Sequence, residues 1–131
     1  ELEQLTPAQR ELMRNTAHAA WRHWWEIGDV INHQRAECLL AHVHVALGEP
    51  AAAVHHAERS LQLADEAGEA YGAFDQVFSQ DAAASAYQIS GSAHEEQHHR
   101  TKVEAARAML TDQTEQRVAN NWLSRRELAA N

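Results

Sequence analysis

Apolar positions in this chain return every three to four residues, separated by polar faces and by glycine-marked turns. That is the period of an amphipathic helix, and no stretch sustains the alternation a strand needs. The spacing predicts six helices. The first opens at Thr6-Pro7, where Thr caps free backbone N–H groups and Pro suits the first helical position. Its apolar stripe is Met13, Ala17, Ala20, Trp21 and Trp24, with the more exposed Trp25 at the flank and Gly28 as the stop. The second covers about Val30 to Leu47 and stops at Gly48. The third runs from Pro50 to Ala67 with Ala53, Val54, Ala57, Leu61 and Ala64 inward, and Gly68 to Gly72 is a linker. The fourth, Ala73 to Ser90, carries Phe74, Val77, Phe78 and Ile89 on one side. Gly91-Ser92 turns it into a fifth, about Ala93 to Leu110, with Val103, Ala106 and Leu110 inward. Thr111 caps the last, from Asp112 towards Ala129, with Val118, Trp122 and Leu123 facing the core.

Within 35–67 two of these helices meet at Gly48-Glu49-Pro50. Leu40, Ala41, Gly48, Ala53, Ser60 and Leu61 stand where a tetratricopeptide repeat places its large, small, turn, small, small and large residues. A degenerate second unit spans 73–110: Ala84 and Tyr87 fit, whereas Glu96 occupies a position expected to be small. The expected fold is a single all-α domain over 1–131, with antiparallel helical hairpins stacked as a right-handed tetratricopeptide-like superhelix of about six helices. A plain helical bundle is the alternative.

A narrower resemblance rests on His23-Trp24, Gly28, Asn32-His33-x-Arg35-x-Glu37, Leu47-Gly48, His55-His56-Ala57 and Gly72-x-Phe74-Asp75-x-x-Phe78-x-x-Asp81-Ala82. These residues resemble a group of short actinobacterial-type tetratricopeptide-like proteins. The resemblance implies a compact helical repeat with no assigned activity, with Asp75 and Asp81 at acidic positions of a shared site. It covers about Ala20 to Ala86 and lapses after Gly91.

Composition narrows the function classes. Alanine dominates and there are only five Gly and two Pro, which suits helix. The net charge of −8 argues against a nucleic-acid module, and Arg125-Arg126 reads as the solvated face of the last helix. No apolar run approaches the roughly 20 residues that cross a bilayer, and no signal peptide is visible in a chain that opens at Glu1. The lone Cys38 excludes an intrachain disulfide and fits a reducing cytoplasm, where it packs as a small hydrophobe.

Polar residues interrupt the stripes. His33, Glu37, Leu40 and His44 share a face of the second helix, Asp81 sits amid the aromatic face of the fourth, and His56 borders the core stripe of the third while His55 points outward. A buried carboxylate needs a partner. His33, Glu37, His56 and Asp81, with His23 in reserve, are therefore candidate ligands for a divalent transition metal (Zn, Fe or Mn), or an acid–base set. A buried ion-pair network, with Arg35 or His56 satisfying Asp81, is the alternative. The run His94-Glu95-Glu96-Gln97-His98-His99 reads as an exposed helix start, with adventitious metal binding at His94, His98 and His99.

The leading expectation is a binding module or adaptor for a peptide or protein partner. Trp25, His44, Phe74, Asp75 and Phe78 would be its groove residues, and the acidic charge would favour a basic partner. Homodimerisation would cover uncovered end hairpins. The rival is a small metalloprotein or metalloenzyme, and whether the chain is an enzyme stays open. Ten histidines add a third reading, a regulator whose assembly changes below about pH 6.5.

Overall fold

The computed structural model describes residues 4–130, with side chains through residue 126. Among the described residues all regular structure is helical: α1 (Pro7–Ile27), α2 (Val30–Ala46), α3 (Pro50–Ala67), α4 (Ala73–Ser90), α5 (Ala93–Ala108) and α6 (Gln113–Ala130). The all-α expectation holds, and so does the helix count. A 3-10 turn at Gly68–Ala70 occupies part of the expected linker.

Local chemistry sets the boundaries. Thr6 Oγ1 accepts from the Gln9 N–H at 3.1 Å and Gln9 Oε1 accepts from the Thr6 N–H at 2.8 Å, a reciprocal cap on α1. Gly48 and Gly91 turn the hairpins at φ of 70° and 82°, a region that residues with a Cβ avoid. Gly28 solves a different problem. A Cβ there would lie 2.6 Å from the Trp24 carbonyl oxygen and 2.7 Å from Asn32 Cβ, so its absence lets α1 fold back tightly on α2. Two boundaries differ from expectation. α5 ends at Ala108, and α6 is capped by Asp112 rather than Thr111: the Asp112 carboxylate accepts from the Glu115 N–H at 2.9 Å.

Side-chain pairing gives the helix directions. Glu37 meets His56 and His44 meets Glu49, pairs that close in towards the Gly48 turn, so α2 and α3 are antiparallel. Gln80 with His99 and Ser85 with Arg100 hold α4 against α5. Between α2 and α4 the bonded pairs Gln34–Ser79, Arg35–Asp75 and His42–Phe78 make these helices direct neighbours. Asp81 reaches Trp122 and Arg126, bringing α6 against α4. α1 lies antiparallel along α2, with Arg10 donating to the Leu47 carbonyl and Trp21 to Glu37.

The core has two parts. Cys38, Ala41, Ala53, Ala57, Ala82, Ala83 and Ala86 form a small-residue seam where α2, α3 and α4 approach closely. Val77, Val103, Ala106, Leu110, Ala119 and Leu123 fill the space between α4, α5 and α6. Several inward assignments shift. Trp24 (42% exposed), Ile89 (37%) and Val118 (43%) face outward, while Ala119 takes the buried position on α6. On α1 only Ala17 is buried, and Trp24 rather than Trp25 is the exposed tryptophan. No described helix is long and apolar enough to cross a membrane.

Candidate functional site

Two polar clusters and one groove emerge from this packing. The first cluster joins α1, α2 and α3. Glu37, buried at 4% exposure, holds His56 Nδ1 at 2.7 Å through one oxygen and accepts from Trp21 Nε1 at 2.9 Å through the other. Burial opposes its charge, but the His56 and Trp21 hydrogen bonds outweigh that and keep its carboxyl below the ordinary range. A parallel arrangement sits nearer the turn. Glu49 holds His44 Nδ1 at 2.9 Å and Arg14 at 2.8 Å, and the His44 bond, with Arg14 behind it, lowers its carboxyl too. The His44 and His56 rings lie parallel with centres 5.3 Å apart, and His18 of α1 stands edge-on to both, at 5.8 and 6.2 Å.

The second cluster centres on Asp81, which is fully buried. Arg100 bonds one carboxylate oxygen; Trp122 Nε1 at 2.7 Å and Arg126 Nε at 3.3 Å bond the other. Burial opposes the charge here as well, yet Arg126, Trp122 and Arg100 hold the carboxyl below its ordinary value. Arg126 also donates to His42 Nδ1 at 3.1 Å, and His42 Nε2–H donates to the Phe78 carbonyl at 3.0 Å. Desolvation and the adjacent Arg126 leave His42 neutral, its pKa pushed down to about 4.

The groove follows α2. On one side a hollow of about 280 Å³ is lined by Gln34, Cys38, Leu39, His42, Phe78 and Trp122, with the Arg35–Asp75 pair at its edge. On the other, a hollow of about 390 Å³ lies between α1 and α2, lined by Leu12, Met13, Ala17, Ala20, Leu39 and Val43. Leu39 belongs to both and is 45% exposed. Ser79 donates its hydroxyl proton to the Asp75 carbonyl, so it accepts from Gln34 Nε2; the buried Gln34 Oε1 is left without a partner.

Of the four candidate ligands, Glu37 and His56 meet. His33 does not join them: its ring stacks on Trp25 with centres 4.0 Å apart, and the Arg59 guanidinium lies over the Trp25 ring. Asp81 is satisfied by Arg100, Arg126 and Trp122, not by Arg35, whose partner is Asp75, nor by His56. Among the described residues no three His, Cys, Asp or Glu side chains are already gathered as metal ligands. His23 is exposed beside Trp24.

Among the expected groove residues, Asp75 and Phe78 line the groove. Phe74 packs beside the second core, Trp25 lies against His33, and His44 is buried in the first cluster. In the histidine run His94 and His98 are exposed, but His99 is buried, bonded to Gln80 at 2.7 Å and stacked on Tyr87. Arg126 turns inward rather than lying on a solvated face.

Sequence reasoning missed His18, Glu49, Arg100 and Arg126 as partners. Arg10, Arg14, His18, Trp21 and Trp25 recur every three or four residues, and that polar-aromatic stripe was the available signal for the true inner face of α1. Cys38 is buried as expected, its thiol pushed up to about 12 by desolvation. Comparison with known proteins finds no matching family model, no matching curated protein and no matching solved structure.

Proposed function

We propose that this chain is a binding module whose α2 groove holds a segment of a partner protein, on a tetratricopeptide-like right-handed stack of hairpins. The packing of α2 against α3 and α4, and of α4 against α5, supports that arrangement. One observation carries the functional reading: two mostly apolar hollows flank α2 and share the exposed Leu39. Both are open, so they suit anchoring side chains of a larger partner better than an enclosed small molecule. The net charge of −8 favours basic flanks on that segment.

A selection from displayed random peptides tests this. Selected sequences are expected to combine apolar anchors with Lys or Arg. Leu39→Asp should weaken their binding by about tenfold or more, a loss of about 1.4 kcal/mol, with thermal stability held. Bound peptides indifferent to Leu39→Asp would overturn the reading. So would a light-scattering mass of a dimer that Leu39→Asp halves, because the groove would then be an interface between copies.

A further inference from the structure

We infer that His18, His44 and His56 form a three-histidine site for a divalent transition metal of the zinc class, on the α3 side of the α1–α2 pair and separate from the groove. The tautomers argue first. Glu49 accepts from Nδ1–H of His44 and Glu37 from Nδ1–H of His56, so in the neutral imidazole the Nε2 atom of each ring is the one with the lone pair that a metal needs. Neither Nε2 atom is used in any hydrogen bond among the described residues, and His18 makes none at either nitrogen.

The carboxylates are fixed in turn, Glu37 by Trp21 and Glu49 by Arg14. Carboxylate-oriented imidazoles backed by a further layer of hydrogen bonds are the arrangement that holds metal-ligating histidines in place. Spacing argues next. With Zn–N near 2.0–2.1 Å, two imidazoles on one tetrahedral ion have ring centres roughly 5 Å apart. His44 and His56 stand at 5.3 Å. His18, at 5.8 and 6.2 Å, must approach by roughly 1 Å, and it is the exposed, unbonded member of the three.

The three rings are therefore not yet gathered around one point, which agrees with the absence of a ready-made ligand group among the described residues. The His44 and His56 rings are stacked nearly parallel, so one of them must turn about its carboxylate bond as His18 closes on binding. An all-imidazole set suits Zn²⁺, Ni²⁺ or Cu²⁺ better than Mn²⁺ or Mg²⁺, and three protein ligands leave a position open for water or another donor.

The test titrates Zn²⁺ by calorimetry and Co²⁺ by visible absorbance into tag-free full-length chain, in a His94→Ala, His98→Ala background that removes the exposed pair on α5. One equivalent is expected to bind, with a d–d spectrum of low coordination number and a rise in melting temperature with Zn²⁺. His18→Ala, at an exposed position, should weaken Zn²⁺ binding at least tenfold with metal-free melting unchanged. Glu49→Gln should weaken it by about 10- to 100-fold, the range for losing an orienting carboxylate. Loss of all binding in the His94→Ala, His98→Ala background would overturn the proposal. Unchanged affinity in His18→Ala would overturn it equally.

Discussion

The two polar clusters are built from similar side chains and differ in how completely those side chains are used. Around Asp81 both carboxylate oxygens are occupied, Arg126 spans to His42, and both nitrogens of His42 are engaged. Around Glu37 and Glu49 the carboxylates are equally occupied, yet the imidazoles they hold are bonded on one side only. A saturated network has nothing to offer a ligand, and breaking it exposes buried charge. A network that holds its outermost groups by one atom each has fixed their direction and kept their reactivity. We read the Asp81 cluster as the element that sets α4, α5 and α6 in register, and the histidine cluster as one with spare capacity.

The largest way to break this comparison is Asp81→Ala. It strands two guanidinium groups beside a cavity, and losing one partner of a buried ion pair costs about 3–5 kcal/mol. Arg100 and Arg126 retain side-chain exposures of 27% and 18%, so some charge can turn to solvent and about 3 kcal/mol is the expected loss. Urea denaturation would show it as a lower midpoint with an unchanged slope. A change below about 1 kcal/mol would mean that Asp81 does not tie the three helices together.

Next in size is a pH effect from the saturated side. His42 is held neutral in the fold with a pKa of about 4, against an ordinary value of 6.5. The unfolded chain therefore binds more protons than the folded one between those values, and stability falls as pH falls through that window. The loss from this residue reaches up to about 3 kcal/mol at the acid end. Asp81 and Glu37 act below it: their folded carboxyls sit under the ordinary range, so the stability they add is present above the ordinary values of 3.8 and 4.5 and is lost as pH drops further. Denaturation midpoints measured from neutrality to about pH 4 should decline throughout, and His42 followed by NMR should stay neutral at pH 5.

Gln34→Met comes third and concerns a residue that is half satisfied. The substitution forfeits the hydrogen bond to Ser79 but also removes the orphaned Oε1, two terms of about 1 kcal/mol each with opposite sign. Net stability should stay within about 1 kcal/mol of the parent, read as a nearly unchanged urea midpoint. A loss above about 2 kcal/mol would show that the Ser79 bond far outweighs the cost of the orphaned acceptor.

How much of this could be read in the sequence differs between the scaffold and the sites. Helix boundaries follow from Thr6, Pro7, Gly48, Pro50, Gly68 and Gly91, whose backbone preferences act locally, and they agree with the observed helices to within one or two residues. The buried positions of α3 to α5 were legible because Ala53, Ala57, Ala64, Val77, Val103 and Ala106 follow one period. α1 was misjudged because its inner face carries Arg10, Arg14 and His18, whose partners lie on α2 or α3 or at the turn between them. A hydrophobic stripe is blind to a face held by hydrogen bonds. The same blindness separates Glu37–His56, whose helices adjoin, from Asp81, whose partners arrive from α5 and α6. Charge complementarity across 19 and 45 residues is a tertiary fact that no local pattern encodes.

His18→Ala is the smallest expected change and the sharpest test of spare capacity. The side chain is exposed, lies inside α1 and bonds to nothing among the described residues, so its removal should alter stability at neutral pH by less than about 0.5 kcal/mol. Alanine is also the better helix former, which tilts the small change towards stabilisation. Acid should enlarge that tilt. Partial burial and the neighbouring His44 and His56 depress the folded pKa of His18, so as pH falls through about 6.5 the unfolded chain takes up this proton more readily. Wild type then loses stability that the alanine variant keeps. Denaturation of both proteins on either side of that pH should show the gap widening in acid. A gap that closes instead would mean that His18 gains a partner when protonated, Glu37 being a carboxylate whose charge reaches it, and the ring would then be part of a closed network like that of Asp81.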